Sequence, residues 1–239
     1  GISFCLLSIA AMVSLLITAV ASLAFGLVSG GPTDAPYLEM YTLADQGGAY
    51  HNMSRYCHDL TTCGFNDLTK SVCGNGVWMM YEEPNYNGDS EENWRWWSEV
   101  LIAPEYTCHN LPSTHHNELS SIRYAGSGNL HHETLTVYHG FGFTAGEFVA
   151  IKDEDSFGDF ENVGSSFIIT GESSWTLYAD KYWEGIAICV EPWNAGSNTF
   201  VGIYDVGDIG MPNNAVSSVG KGCSSDVIRT KEHSSYVNN

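Results

Sequence analysis

The chain has 239 residues, 44% of them hydrophobic, which is enough apolar material for one large domain or two small ones and excludes general disorder. Lys and Arg number 9 against 28 Asp and Glu, a formal net charge of −19, and no basic cluster interrupts the chain, so nucleic acid and anionic lipid headgroups are poor partners. Its 25 glycines, 13% aromatic residues and 15% charged residues favour short strands and tight turns over helices, so we expect an all-β body.

The N-terminal segment is apolar. Residues 2–29 contain no charged side chain, the first charge is Asp34 and the first basic residue is Arg55. At ~1.5 Å rise per residue, this segment can form a helix longer than the ~30 Å hydrocarbon core of a bilayer. A secretory signal peptide would carry a positively charged stretch ahead of the apolar run, and none is present here. We therefore expect residues 1–30 to be retained as one long hydrophobic helix.

A retained apolar helix either crosses a bilayer or packs against copies of itself in a filament core. The opening Gly1-Ile2-Ser3-Phe4 offers no Lys or Arg, which a lone membrane anchor usually has at its cytoplasmic end. An apolar helix left by removal of a basic leader resembles the type IV and archaeal pilins, although Cys5 stands where bacterial pilins have a glutamate. The resemblance implies self-assembly through residues 1–30, with a membrane stage during biogenesis; membrane anchoring is the alternative.

The rest of the chain contains a fourfold internal repeat. Each copy has an apolar or aromatic lead, a tyrosine, and a glycine seven or eight positions later; the tyrosines are Tyr41, Tyr81, Tyr138 and Tyr178. The tyrosines are separated by 40, 57 and 40 positions, a spacing that predicts two domains of two repeats each. The expected boundaries are a linker at 31–36, a first domain at 37–125, a linker at 126–133, a second domain at 134–223 and a polar tail at 224–239.

Two of the motifs resemble the βγ-crystallin family. Tyr81–Gly88 (YEEPNYNG) is similar to the folded-hairpin signature of that family, and Ser120–Arg123 (SSIR) is similar to the end of its second motif. The resemblance spans residues 37–223 and implies two Greek-key motifs in each domain, packed as paired four-stranded sheets. Alternating apolar strands and glycines at folded hairpins agree with it. The predicted fold is all-β: two βγ-crystallin-like Greek-key sandwich domains preceded by one hydrophobic helix.

Each repeat also carries a polar segment of six residues. Calcium-binding members of the family have two Asn or Asp, two variable residues, a Ser or Thr and a Ser in this segment, and residues 213–218 match every position. Residues 161–166 and 116–121 depart only at the first position. Residues 66–71 depart at the fifth position, where Lys70 would place an ammonium group instead of a hydroxyl.

The resemblance implies calcium ligands at the third position, through the backbone carbonyl, and at the fifth, through the hydroxyl. Both are the oxygen ligands that Ca²⁺ prefers. In the second domain the implied ligands are Val163, Ser165, Ala215 and Ser217, with Asp180 of a neighbouring hairpin as a further carboxylate. In the first domain they are Glu118 and Ser120, with Thr42 from the partner hairpin. We expect calcium in the second domain before the first; alternatively, these polar residues only end strands and cap turns.

Six of the seven cysteines lie in the two expected domains, an even number that suits disulfides in an oxidising exterior. Cys189 and Cys223 are the only pair within the second domain. The first domain has four, which allow three pairings: Cys57, Cys63, Cys73 and Cys108. Asn52-Met53-Ser54 is the one N-glycosylation sequon. We expect an extracellular or cell-surface location, or extracellular domains on a membrane anchor.

Motifs typical of enzymes are missing. The paired histidines at 115–116 and 131–132 lie in polar loop-like stretches, and the sequence has no nucleophile elbow, phosphate loop or His-Glu-x-x-His motif. We therefore expect a non-enzymatic extracellular structural subunit that assembles through its N-terminal helix into a pilus-like filament and displays calcium-binding domains. The alternative is a membrane-anchored or secreted calcium-binding module that recognises a glycan or a protein and does not polymerise.

Overall fold

The computed structural model describes residues 35–88 and 95–230. Every described residue belongs to one compact unit. The expected helix of residues 1–30 therefore lies outside the described residues. The described part contains 14 strands and two four-residue helices, α1 Leu60–Cys63 and α2 Val206–Ile209, besides short 3₁₀ turns, which confirms the all-β fold.

The first domain consists of one five-stranded sheet. Its strands are β1 Tyr37–Tyr41, β2 Tyr50–Met53, β3 Ser71–Tyr81, β4 Ser98–Asn110 and β5 Ser121–Tyr124. They are arranged in the order β2-β1-β3-β4, and β5 also pairs with β3. The pairing of β3 with β4 shifts between Gly74 and Gly76, and Gly76 has a φ of 106°, a left-handed conformation open to glycine. The long strand β3 thus ends the first repeat and begins the second.

The second domain has two separate sheets. Its strands are β6 Thr134–Tyr138, β7 Glu147–Ala150, β8 Ser166–Thr170, β9 Trp175–Tyr178, β10 Ala187–Glu191, β11 Trp193–Gly196, β12 Thr199–Asp205, β13 Ser218–Lys221 and β14 Ile228–Thr230. The sheet orders are β11-β12-β8-β6-β7 and β13-β9-β10-β14. Since β12 of the fourth repeat pairs with β8 of the third, the two repeats exchange a strand, as Greek keys do.

The sheets differ in size from the expected pairs of four strands. The extra strands are β11, which forms a hairpin with β12, and β14, which pairs in parallel with β10. Strand β14 lies within residues 224–239, for which the sequence predicts a polar tail. Its side chains are exposed, so no buried apolar pattern marks it in the sequence.

Three clusters of buried apolar residues hold the described part together. One fills the first domain around Leu38 and Trp78. A second fills the second domain around Trp175 and Leu177. The third cluster joins the domains: its members include Met79 and Ile102 from the first and Ile168 and Ile203 from the second. Because apolar burial stabilises at ~25 cal/mol per Å², the shared cluster favours one continuous two-domain body.

A buried arginine also joins the two domains. Arg123 of β5 is 1% exposed and donates to the carbonyls of Phe143 and Ala145, at 2.5 and 2.7 Å, and to the Tyr81 hydroxyl at 2.9 Å. Its Nη1 lies 3.4 Å from a carboxylate oxygen of Glu147. Burial raises the pKa of Glu147, and the opposing charge of Arg123 and a hydrogen bond from Tyr56 only partly offset this. Arg123 of the first domain thus binds the hairpin that follows β6 in the second.

The six expected cysteines form three disulfides, Cys57–Cys63, Cys73–Cys108 and Cys189–Cys223. The presence of disulfides is confirmed, and the structure supplies the pairing that the sequence left open in the first domain. Cys73 and Cys108 face each other directly across β3 and β4. Disulfides are typical of secreted and extracellular proteins. Neither helix of the described ranges has the length and apolar run needed to cross a membrane.

Candidate calcium clamps

The last residue of each polar segment fixes the folded hairpin of its own repeat. In the third repeat, Ser166 Oγ donates to the Gly140 carbonyl at 2.7 Å and accepts from the Phe143 amide at 3.0 Å. The same two bonds recur in the other repeats through Ser71, Ser121 and Ser218. A hydroxyl can donate and accept at once, so this serine ties the hairpin to the strand that the serine begins.

The second residue of each polar segment forms a tight turn. All four have left-handed backbones, with φ between 53° and 62°: Asp67, Asn117, Asn162 and Asn214. Asn and Asp tolerate this conformation better than other non-glycine residues. The preference for Asn or Asp at this position therefore has a structural cause, whether or not an ion is bound.

The two polar segments of the second domain clasp each other. Ser165 Oγ donates to Asn214 Oδ1 at 3.1 Å, and Ser217 Oγ donates to Asn162 Oδ1 at 3.0 Å. An isolated antiparallel bridge between Gly164 and Val216 joins the segments midway. Each fifth-position hydroxyl thus lies beside the second-position amide of the partner repeat, an arrangement that we call a clamp.

The clamp geometry fits a calcium ion. Both serines are 2% exposed, and each hydroxyl is 3.0–3.1 Å from its partner amide oxygen. Two oxygens at this separation, each ~2.4 Å from one Ca²⁺, subtend about 80° at the ion, close to the ~72° between neighbours in a pentagonal plane. The predicted carbonyl donors Val163 and Ala215 flank the bridge that joins the two segments. The structure therefore places the two segments that contain these four residues side by side.

Asp180 lies in the hairpin of the fourth repeat. Its carbonyl accepts from Ser218 Oγ at 2.6 Å, and its carboxylate lies so close to Gly185 that a Cβ there would come within 2.5 Å of Oδ2. The next residue, Lys181, reaches the partner segment, where its Nζ is 2.5 Å from Glu161 Oε2. The hydrogen bond from Lys181 lowers the pKa of Glu161, with Ser156 contributing. The ammonium group of Lys181 thus lies beside Glu161, the residue that precedes Asn162.

The first domain has a pocket of about 380 Å³ at the corresponding place. Its lining comes from both polar segments, the second hairpin and helix α1, and comprises Thr61, Asn66, Asp67, Glu82, Glu83, Pro84, Asn117, Glu118 and Ser120. Ser120 Oγ donates to Asp67 Oδ1 at 3.4 Å, so this clamp has a carboxylate where those of the second domain have an amide. The predicted Glu118 and Ser120 come together here.

Sequence reasoning missed three acidic residues of this pocket: Asp67, Glu82 and Glu83. A signal was present for each. Asp67 occupies the second position of its segment. Glu82 and Glu83 follow Tyr81 directly, and Glu83 occupies the same hairpin position as Asp180, which follows Tyr178 by two. Aligning the four hairpins as well as the four segments would have found them.

The donor set of this pocket suits a hard cation. Trp97 positions two of the carboxylates, because its amide donates to Glu82 Oε2 at 2.9 Å and its indole Nε1 donates to Glu118 Oε2 at 3.2 Å. Asn66 Oδ1 is buried and has no hydrogen-bond partner. Carboxylate, hydroxyl and amide oxygens are the ligands that Ca²⁺ prefers, and an orphaned buried acceptor gains most from a cation.

The first repeat lacks such a donor set. Thr42 is not among the residues that line the pocket, and its Oγ1 accepts from the Ala49 amide at 3.0 Å within its own hairpin. Lys70 replaces the fifth-position hydroxyl, although its amide still donates to the Tyr41 carbonyl at 2.8 Å.

Within the described ranges, no group of three or more His, Cys, Asp or Glu is arranged to hold a metal. A cation therefore depends on hydroxyl, amide and carbonyl oxygens in addition to carboxylates.

Residues 37–125 match the family model described as Beta/Gamma crystallin, so the chain contains a beta/gamma crystallin domain. Among solved structures, geodin, a beta-gamma crystallin from Geodia cydonium, superposes with a TM-score of 0.58 at 20% identity, over 78% of this chain and 99% of that one. This likeness supports the same all-β fold over 78% of the chain.

Two further solved structures each cover 37% of this chain. The beta gamma crystallin from Ciona intestinalis has 20% identity, a TM-score of 0.31 and 99% of its own length covered. A betagamma-crystallin from an archaeon has 23% identity, a TM-score of 0.32 and 96% of its length covered. Among curated proteins, none matches this chain.

Proposed function

Because the chain contains a beta/gamma crystallin domain, we propose that it is a non-enzymatic protein that binds calcium between the paired polar segments of its Greek-key domains. The observation that carries the proposal is the reciprocal pair of clamps in the second domain, where Ser165 lies on Asn214 and Ser217 on Asn162. Three of the four repeats have the fifth-position hydroxyl. We therefore expect up to three ions, with none at the repeat that contains Lys70.

Bound calcium would supply a divalent charge that links the two polar segments of a domain. Ser165 and Ser217 would each turn a hydroxyl lone pair toward the ion, and their carbonyl-donating neighbours would be Val163 and Ala215. The hairpins already have the required shape, because the sixth-position serines hold them. An ion that binds only the folded state stabilises it by mass action, by about 2.7 kcal/mol at 100 times the Kd.

We propose that the clamp around Ser120 is the tightest. Its pocket contains Asp67, Glu82, Glu83 and Glu118, whereas the clamps of the second domain have neutral amides and one has Lys181 nearby. Attraction between opposite charges at ~4 Å amounts to several kcal/mol near a protein surface. The calcium affinities of these sites should therefore differ more because of their charge than because of their geometry. This order reverses the one expected from the segment pattern alone.

Terbium luminescence tests the proposal at Ser120. Tb³⁺ replaces Ca²⁺ at oxygen sites and emits when a nearby indole is excited, and Trp97 Nε1 is 3.2 Å from Glu118. We expect emission that Ca²⁺ quenches by displacement, a large drop in Trp97→Phe, and affinity at least tenfold weaker in Ser120→Ala, since even outer-shell changes at metal sites cost roughly 10–100-fold. Ser113→Ala, at an exposed serine of the same region, is the matched control.

Failure is equally distinct. Two results would reject calcium binding at this clamp: Tb³⁺ emission that persists when Ca²⁺ is added, or the same Tb³⁺ affinity in Ser120→Ala and Ser113→Ala. Unchanged emission in Trp97→Phe would move the ion away from the Ser120 pocket.

For residues 1–30 we propose self-association outside the cell, with the two domains displayed on the resulting filament. The support is the uncharged run at 2–29 and the three disulfides of the described part. Electron microscopy of native material tests this: regular fibres support it, and single particles in detergent micelles favour a membrane-anchored calcium-binding module. The calcium proposal stands or falls separately.

A further inference from the structure

The solvent side of the first domain carries four tyrosines around one carboxylate. On β1, Tyr37, Glu39 and Tyr41 alternate with the buried Leu38 and Met40, so the three share the outer side of the sheet. Tyr50 of β2 and Tyr106 of β4 complete the group and are 60% and 51% exposed. We call these five residues the tyrosine face.

The tyrosine face is held in a fixed arrangement. The hydroxyls of Tyr41 and Tyr106 both donate to Glu39 Oε2 at 2.6 Å. Tyr37 stacks on Tyr106 with ring centroids 5.9 Å apart, and Tyr41 stacks on Tyr50 at 5.7 Å. The hydrogen bond to Glu39 also raises the pKa of Tyr106, so the phenol keeps its proton. Exposed aromatic rings held this way have little entropy left to lose on binding.

The chemistry of this face suits a sugar. Sugar rings present an apolar side of C–H groups and an edge of hydroxyl donors. Tyrosine rings offer rigid apolar area with a polar tip, and the Glu39 carboxylate accepts hydrogen bonds from hydroxyl groups.

Asn52 emerges on the same face. In the pairing of β1 with β2, Asn52 lies opposite Glu39, and Tyr50 lies opposite Tyr41. Asn52 and Tyr50 are both exposed, while Met53 between Asn52 and Ser54 is buried. Residues opposite each other on antiparallel strands have Cβ atoms ~4.5–5.5 Å apart, which is about the width of one sugar ring. Among the described strands, β2 is also the edge strand of its sheet.

We propose that Asn52 of the Asn52-Met53-Ser54 sequon carries an N-linked glycan whose first sugar packs on the tyrosine face. In this modification a bond forms between Asn52 Nδ2 and the anomeric carbon of a lipid-diphosphate-linked oligosaccharide. The bond from that carbon to the diphosphate oxygen breaks, the lipid diphosphate leaves with the electron pair, and the amide nitrogen loses one proton. The glycan then covers Tyr50 and shields the open edge of β2, a strand edge that is otherwise a pairing hazard.

The test uses the full chain made in a eukaryotic secretory host. Mass spectrometry of the Asn52 peptide measures occupancy, and thermal unfolding compares two pairs: wild type with Asn52→Gln, and Tyr50→Ala with the Tyr50→Ala, Asn52→Gln double variant. We expect an occupied Asn52, a fall of about 2 °C or more in Tm when the glycan is lost from wild type, and a clearly smaller fall in the Tyr50→Ala background. Tyr182 lies elsewhere and is 64% exposed. In a Tyr182→Ala background, Asn52→Gln should therefore cause the same fall in Tm as in the wild type.

The same four proteins made in a bacterial host, without glycan, show what the Asn52 amide itself contributes, and their Tm values should agree within each pair. Two results would overturn the proposal: an unmodified Asn52 in the secretory host, or equal Tm falls in the wild-type and Tyr50→Ala pairs. None of these readouts involves calcium, so they are independent of the proposed function.

Discussion

The two Greek-key domains share one backbone scheme and differ in the charges placed on it. In both, a sixth-position serine holds each hairpin and the second position turns left-handed. Around Ser120 of the first domain the neighbouring side chains are carboxylates, whereas Ser165 and Ser217 face amides. The backbone thus sets where oxygen ligands meet, and a few side chains set the charge that a cation would find there.

The domains also differ in how their sheets continue. In the first, one strand, β3, serves both repeats, whereas in the second the equivalent chain breaks at Gly171, with φ of 81°, into β8 and β9. The first domain also has two disulfides and the second has one. The following changes would separate the domains or make them more alike.

Loss of Arg123 should have the largest effect, because this residue joins the domains. Arg123→Met removes three hydrogen bonds across buried surface and leaves the Glu147 carboxylate without its partner charge. Breaking a buried pair in this way costs about 3–5 kcal/mol. We expect a loss of that size in urea unfolding and a separation of the two domain transitions. Arg55→Met, at an exposed arginine, is the control, and a loss as small as the control's would contradict this role.

The disulfides should rank by the loop that each closes. Cys73–Cys108 and Cys189–Cys223 have separations of 35 and 34, and chain-entropy arguments give ~4 kcal/mol for each; Cys57–Cys63, with a separation of 6, gives ~2 kcal/mol. Paired Cys→Ala variants, compared by urea unfolding under oxidising conditions, should show this order. The two domains would then owe equal stability to their long-loop disulfides. A larger loss for the short loop would contradict it.

Glu147, at the junction of the domains, should give a pH-dependent difference. Its folded pKa is raised by burial, so the folded state holds a proton that the unfolded state has already lost between the unfolded value, ~4.3, and the raised folded value. Wild-type stability relative to Glu147→Gln should therefore fall as pH rises through this window and stay level above it. Urea unfolding of both proteins at several pH values measures the difference. A stability difference that rises with pH would contradict a raised pKa of Glu147.

Removal of Lys181 should make the charge around the Ser217 clamp more like the charge around Ser120. Of the four predicted effects, this one should be the smallest. Lys181 is exposed where it pairs with Glu161, and ion pairs with a solvent-screened partner contribute little to folding. In Lys181→Gln we expect unchanged folding stability and severalfold tighter calcium binding at the Ser217 clamp, measured by calorimetric titration. Lys152→Gln, at another exposed lysine, should leave the affinity unchanged. Equal affinities in the two variants would show that the ammonium group does not reach the ion.

Local features of the molecule were predictable from the sequence, and features made between repeats were not. The four hairpins repeat at a fixed offset from Tyr41, Tyr81, Tyr138 and Tyr178, and each is closed by the last serine of the polar segment of its own repeat, so these hydrogen bonds lie within single repeats. The meeting of Asp67 with Ser120 spans 53 positions and depends on how two repeats pack. Pairing of Cys73 with Cys108 likewise follows from the register of β3 on β4, which no spacing rule supplies.

The candidate ligands of the second domain were easier to predict from the sequence than the acidic pocket for the same reason. Val163, Ser165, Ala215 and Ser217 all lie in segments with a recognisable pattern. The carboxylates of Glu82 and Glu83 come from a hairpin, and Trp97, which positions Glu82 and Glu118, comes from a third place in the chain.

Calorimetric titration of the full chain with Ca²⁺, compared with Ser120→Ala, tests the calcium assignment most directly. The account predicts binding at up to three sites in the wild type, and loss of the tightest step alone in the variant. Absence of binding heat in a folded wild type, or an unchanged tightest step in Ser120→Ala, would contradict it.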